Sequence, residues 1–150
     1  LGEHVDKDMI ALRIAPDLRQ AVVGSPAYFE RNPKPRTPQD LVNHACINLW
    51  LSPARGHYVW EFGKGGREPK VRVNGPLAFN DLATIRRAAV DGLGLVNLPQ
   101  DYVAEDLAQR RLVRVLDDWC PPRPGYHLYY PSRRQPTPAF ALILDALRHR

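Results

Sequence analysis

Two cysteines, Cys46 and Cys120, are all that the 150-residue chain contains, too few and too far apart for a disulfide framework or a paired-cysteine metal knuckle. Cys46 stands in an apolar stretch and reads as a small core side chain, so both are taken as free thiols. Long apolar runs are missing too. None approaches the roughly 20 residues of a membrane helix, and the first residues lack the basic and apolar regions of a signal peptide. The five histidines, His4, His44, His57, His127 and His149, show no HxxxH or HExxH spacing. Ser25 has no GxSxG setting, and the glycines at 63, 65 and 66 form neither a GxxxxGK[ST] nor a GxGxxG loop opening a helix. Asp117 and Asp118 are neighbours whose side chains point apart on a strand or lie in a solvated turn. These absences leave no catalytic residues, no metal ligands and no cofactor to assign, and they point to binding rather than turnover.

What is present is 44% hydrophobic residues with a formal charge of +5, in a length suited to one compact domain that buries about 70% of its unfolded surface. A basic balance invites a nucleic-acid reading. The distribution argues against it: Arg86-Arg87, Arg110-Arg111 and Arg133-Arg134 are short pairs among acids and apolar positions, which describes solvated faces, and no recognition helix or RNA-binding aromatic motif accompanies them.

The pattern along the chain alternates strands and helices. Ile10, Leu12 and Ile14 share one face of an extended segment, and Leu18 to Val23 is a second strand. Ser25-Pro26 opens a short helix with serine as cap, and Thr37-Pro38-Gln39-Asp40 repeats the device with Asp40 placed for a capping box. Cys46 to Leu51 and Tyr58 to Phe62 are strands, the latter with Tyr58, Trp60 and Phe62 on one face, and the glycine-rich turn joins it to a strand at Val71 and Val73. From Asn80 to Pro99 the spacing predicts a helix capped by Asn80, with Leu82, Ile85 and Ala89 inward and Gly92 as the stop. An apolar strand from Gly94 follows, covered on both sides, and a strand, a helix and another strand make a parallel crossover. Gln100 to Arg111 is a helix with Val103 and Leu107 inward and an Arg pair suited to its C-terminal dipole, and Leu112 to Leu116 is a strand. After the proline-rich loop Pro121 to Gly125, a strand through Pro131 and a helix capped by Thr137-Pro138, with Phe140, Ile143, Leu144 and Leu147 inward, close the chain.

In this order the motifs resemble the effector-binding (substrate-binding) domain of LysR-type transcriptional regulators, which shares a two-lobed fold with type 2 periplasmic binding proteins. The residues that carry the resemblance are Ala21 to Phe29, Arg36 to Leu41, His44 to Ile47, Trp60-Glu61-Phe62, Asn80 to Pro99, Arg111 to Leu116, Leu128 to Pro131 and Phe140 to Leu144. The resemblance implies an α/β fold with a mixed sheet flanked by helices, one lobe complete and part of the other. Residues 1–23 would supply part of lobe one and the first hinge strand, 24–127 lobe two, and 128–150 the second hinge strand and the last helix of lobe one. Leu1-Gly2-Glu3 resembles the middle of that domain, so the expectation is a truncated pattern, with DNA contacted only through a helix-turn-helix region that these residues lack. Lobe faces left without partners are expected to lead to self-association, a swapped arrangement or disorder at the ends.

The resemblance also implies a small-molecule effector, an organic acid among the candidates, held between lobes of a cytoplasmic protein. Carried over by position, its contacts in lobe two would be Phe79, Asn80 and Asp81 at the helix entrance, Trp50 and Leu51 at a strand end, and Asn97. Phe79 and Trp50 would offer apolar or stacking surface, the asparagines amide hydrogen bonds, and the helix amides a place for an anionic group. A solute-binding protein of the same fold is the alternative reading.

Overall fold

The computed structural model describes residues 8–131 and 136–149, and the features noted at Leu1 to His4 and at Arg133-Arg134 lie outside the described residues. Two compact units emerge, one formed by Arg19–Pro122 and the other by Leu1–Leu18 with Arg123–Arg150.

The larger unit is built on β2 (Gln20–Gly24), whose Ala21, Val22 and Val23 are all fully buried. An apolar run without polar alternation is covered on both faces, and here both coverings are present. β2 runs antiparallel between β8 (Val96–Pro99) and β9 (Val113–Val115), with Val22 opposite both Asn97 and Val115. Period-two alternation sends Ala21 and Val23, with Val96 and Leu98, to a face packed by Ile85, Ala88, Ala89 and Val103. Val22, Leu95 and Val115 line the other face with Tyr28, Leu41, Cys46, Trp60 and Phe62. Trp60 and Phe62 are each 1% exposed. Complete burial of one such side chain stabilises by about 1.5–3 kcal/mol, which makes this aromatic pair a large share of that core.

A second set of strands centres on β3 (Asn48–Ser52), antiparallel to β4 (Gly56–His57) and parallel to β7 (Ala78–Phe79). The two sets meet where Leu95 runs parallel to Cys46. The Leu95 amide donates to the Ala45 carbonyl and the Ile47 amide donates to the Leu95 carbonyl, each at 2.8 Å. The expected crossover is therefore real, with β3 between its two parallel arms, while the same chain continues as β8 antiparallel to β2. Close approach needs glycine at 94, because a Cβ there would lie 2.4 Å from the Ala45 carbonyl oxygen. The predicted glycine-turn hairpin is β5 (Trp60–Glu61) against β6 (Lys70–Val71).

Helix starts follow the predicted devices with two corrections. α1 (Pro26–Arg31) is capped by Ser25, whose hydroxyl accepts from the Tyr28 amide, but Pro38–Asn43 is a 3-10 turn rather than an α-helix. α2 (Leu82–Val90) is capped by Asp81, not Asn80: the Asp81 carboxylate accepts from the Thr84 amide at 2.8 Å and the Thr84 hydroxyl at 2.6 Å. Helical dihedrals begin one residue later than the sequence suggested because Phe79 still pairs with Leu49 as strand. Gly92, at φ 81°, ends the helix as predicted.

The Arg pairs are not only solvated faces. Asp106 on α3 (Gln100–Ala108) is fully buried and accepts from Arg86 of α2 at 2.5 and 2.9 Å and from Arg111 at 2.7 Å. Arg110 adopts left-handed backbone, φ 58°, which turns Arg111 back toward α3 instead of leaving it on the helix dipole. Burial is the largest influence on the Asp106 carboxyl and raises its pKa. The hydrogen bonds and charges of Arg86 and Arg111 together outweigh burial and hold it below the ordinary aspartate value.

The smaller unit pairs β1 (Met9–Arg13) antiparallel with β10 (His127–Pro131) and adds α4 (Pro138–Leu147), capped by Thr137. Phe140 sets its ring edge-on to Tyr130, 5.5 Å between centroids. Of the faces predicted to be buried, only Leu12 and Leu144 are; Ile10, Ile143 and Leu147 are exposed, because neither the two-stranded ribbon nor one helix supplies enough surface to cover them.

Asp106→Asn is expected to lower stability at pH 7 by about 2–3 kcal/mol, read by urea unfolding. A carboxyl with a depressed folded pKa stabilises above its unfolded pKa and loses that contribution as pH falls through the folded one. The gap between wild type and variant should thus shrink below pH ~4. Gly94→Ala should cost about 1–3 kcal/mol by forcing the Leu95–Ala45 ladder apart, with hydrogen exchange at Ile47 and Leu95 accelerating first.

Candidate ligand-binding edge

β3, β7 and the Leu95 segment run parallel, so their carboxyl ends reach one edge of the sheet, where α2 and α3 also begin. In sheets of this type that edge is where ligands bind, because loop side chains and helix starts converge there. The residues named from sequence lie on the strands and the helix start that form it, but the pleat divides them. Trp50, two along from Asn48, and Asn97, two along from Leu95, project from the face that carries Trp60 and Phe62. Phe79, paired with Leu49, belongs to the helix-covered face, where it packs half-buried against the core, while Leu51 falls where the β3–β4 register shifts. Asn80 and Asp81 are exposed at the start of α2.

Each side chain has its own chemistry. Trp50 is 38% exposed and stands edge-on to His57, with 5.1 Å between ring centroids. Asp81 is held below the ordinary carboxylate range first by the Thr84 hydroxyl and then by the Thr84 amide, so it stays ionised. Its carboxylate occupies the helix start at which an anionic effector group was expected, and α2 consequently presents an acceptor rather than free amide donors. Asn97 differs from all of these. Its carboxamide nitrogen and oxygen are both buried and neither has a hydrogen-bond partner among the described residues. Leaving a buried amide unmet costs about 1–3 kcal/mol, so a fold retains one where something outside the chain satisfies it.

Sequence reasoning missed three neighbours. Asn48 accepts from the Trp60 indole at 3.0 Å and donates to the Tyr58 carbonyl at 2.9 Å, which fixes the strand beneath Trp50. Arg19 and Arg114 converge on Asp117 at 2.9 and 3.0 Å, and Arg114 also donates to Gln100 at the start of α3 at 2.8 Å. Asp117 is therefore an ion-pair hub rather than only a solvated turn. The period-two spacing of Cys46, Asn48 and Trp50 was a signal for the first; nothing local signals the arginines, which lie far from Gln100 and Asp117 or are indistinguishable from solvated charges. Burial pushes the Cys46 thiol up to about 12 and raises that of Cys120, so both stay protonated and poor as nucleophiles. Among the described residues no three His, Cys, Asp or Glu side chains gather as a metal site requires, and no helix is long and apolar enough to cross a membrane.

Comparison with known proteins matches this arrangement to one family. The model of the LysR substrate binding domain matches residues 1–150. A putative transcriptional regulator of Pseudomonas aeruginosa is 52% identical over 149 residues, covering 99% of this chain and 49% of that protein. The HTH-type transcriptional regulator PgrR of Escherichia coli is 46% identical over 150 residues, 100% of this chain and 50% of its own length. The chain thus spans about half the length of these curated relatives. The regulatory domain of AphB from Vibrio vulnificus superposes with a TM-score of 0.76 at 26% identity, over 97% of this chain and 70% of that one.

The cap assignment is open to a direct check. Asp81→Ala should lower the melting temperature while Asn80→Ala leaves it unchanged within error in the same calorimetric series; the reverse order would restore Asn80 as the cap.

Proposed function

Because the chain belongs to the LysR substrate-binding domain family, we propose that it is the effector-sensing part of a bacterial transcriptional regulator, holding a small molecule at the edge that carries Asn97 and Trp50. The observation that supports this reading is the buried Asn97 carboxamide, without a partner among the described residues: it offers a donor and an acceptor to a ligand. Phe79, Leu51 and Asn80 would border the same ligand. Asp81 sets a condition on it, since a group facing α2 must be neutral or cationic, and an acidic effector would turn its carboxylate away.

The larger unit, which takes in β2, the strand expected as the first hinge, corresponds in this reading to lobe two, and the smaller, with β10 as the second hinge strand, to part of lobe one. α4 exposes Leu142, Ile143 and Leu147, which favours packing of the smaller unit against a further copy or further chain. The protein binds without turnover, works in the cytoplasm, and affects DNA only through the regulator of which it is part, where effector binding shifts the balance between two arrangements of paired domains.

The test is a thermal-shift panel of amino acids, amides and small carboxylates on wild type and Asn97→Leu. Removing an unmet amide should leave the unliganded variant as stable as wild type or up to about 1–3 kcal/mol more so, while the several-degree shift given to wild type by its best ligand disappears. A variant that responds to ligand as wild type does would refute the assignment.

A further inference from the structure

The loop that leads into β7 carries a chemically labile pair. Asn74 is the one asparagine in the sequence followed by glycine, the neighbour that leaves a main-chain nitrogen least shielded by a side chain. The fold demands that glycine, because a Cβ at Gly75 would lie 1.8 Å from the Cys46 carbonyl oxygen. Position 74 is under no such demand, since it is exposed. The Asn74 carboxamide borders two cavities of about 250 and 150 Å³ and makes no hydrogen bond among the described residues, and the Gly75 amide donates none among them. The chain's Asp-Gly pair, Asp91-Gly92, is closed by comparison: the Gly92 amide donates to the Ala89 carbonyl at 3.0 Å, and Arg87 donates to both Asp91 carboxylate oxygens at 3.2 Å. Asn32 precedes a proline, which has no N–H, and the Asn48 carboxamide is held by Tyr58, Leu49 and Trp60.

We propose that Asn74 is a site of non-enzymatic deamidation. The Gly75 amide nitrogen attacks the side-chain carbonyl carbon of Asn74 and a new C–N bond closes a cyclic succinimide. The carboxamide C–N bond breaks, and its nitrogen leaves as ammonia with the proton given up by Gly75. Water then opens one of the two ring carbonyls, and the product is aspartate or isoaspartate. Either product brings a carboxylate to cavities whose lining holds no Asp or Glu. Isoaspartate does more, because the main chain then runs through the former side chain and is one atom longer between residues 74 and 75. The Cys46 amide donates to the Asn74 carbonyl at 3.0 Å and the Asn48 amide to that of Leu77 at 3.2 Å. The extra atom falls between these two anchors of the loop, so the register of β7, with Phe79 in it, loosens from β3.

Ageing of the purified protein at mildly alkaline pH, followed by tryptic mapping, tests the site on the peptide 73–86, which also contains Asn80 as an internal comparison. In the folded protein Asn74 should gain about one dalton, as aspartate and isoaspartate, faster as pH rises and at no less than a tenth of the rate in the isolated peptide, while Asn80 stays unmodified. Asn74→Ser, at an exposed position, should abolish the gain. Hydrogen exchange at the Cys46 and Asn48 amides should quicken in aged wild type and stay unchanged in aged Asn74→Ser. A folded-state rate more than tenfold below that of the peptide, modification that begins at Asn80, or equal exchange in the two aged proteins would overturn the proposal.

Discussion

The larger unit depends on one close approach, the passage of Gly94 beneath the Ala45 carbonyl. Without a side chain there, Leu95 reaches hydrogen-bond distance of Ala45 and Ile47, and the strands around β2 and those around β3 become one twisted surface. The placement of the candidate edge follows from that junction. It sets β8 alongside β3, makes both run toward the same edge as β7, and fixes which face each residue of β8 takes. The buried apolar side chains then distribute themselves on the two faces, and Asp106 with its two arginines holds α2 to α3 across one of them.

Alternation has a cost at Asn97. Its neighbours Val96 and Leu98 must enter the helix-covered core, so residue 97 has to face the aromatic side, where an apolar residue would pack without penalty. An asparagine there trades stability for a hydrogen-bonding group placed on a rigid strand, the exchange expected of binding sites held by a scaffold rather than by a mobile loop. Both cysteine thiols are buried and protonated, the Asp81 carboxylate is taken up by Thr84, and that of Asp117 by two arginines.

Features confined to three or four residues were readable from the sequence, because their physics is local. Ser25, Thr137 and Gly92 act as the sequence indicated, each meeting an amide or carbonyl within one turn of itself. The choice between Asn80 and Asp81 was not local, since both can cap and the pairing of Phe79 with Leu49, thirty positions earlier, decides where the helix begins. The burial of Asp106 depends on Arg86 twenty residues away, and the exposure of Ile143 and Leu147 on how little surface the smaller unit offers them. The six residues named from sequence were sought at strand ends and a helix start; Phe79, Asn80 and Asp81 lie there, while Trp50 and Asn97 stand within β3 and β8. Their separation onto two faces of the sheet became visible only through the register of Leu95 with Cys46.

In this chain of the LysR substrate-binding family, Asn97 is a strand residue whose buried carboxamide has no partner among the described residues, and the proposed reading makes it the anchor for a ligand. The most direct measurement is a crystal structure of the protein with the compound that stabilises it most. The account requires a ligand atom within hydrogen-bond distance of the Asn97 carboxamide and an intact ligand in the density. A stabilising ligand seated elsewhere, with that carboxamide still without a partner, would contradict it.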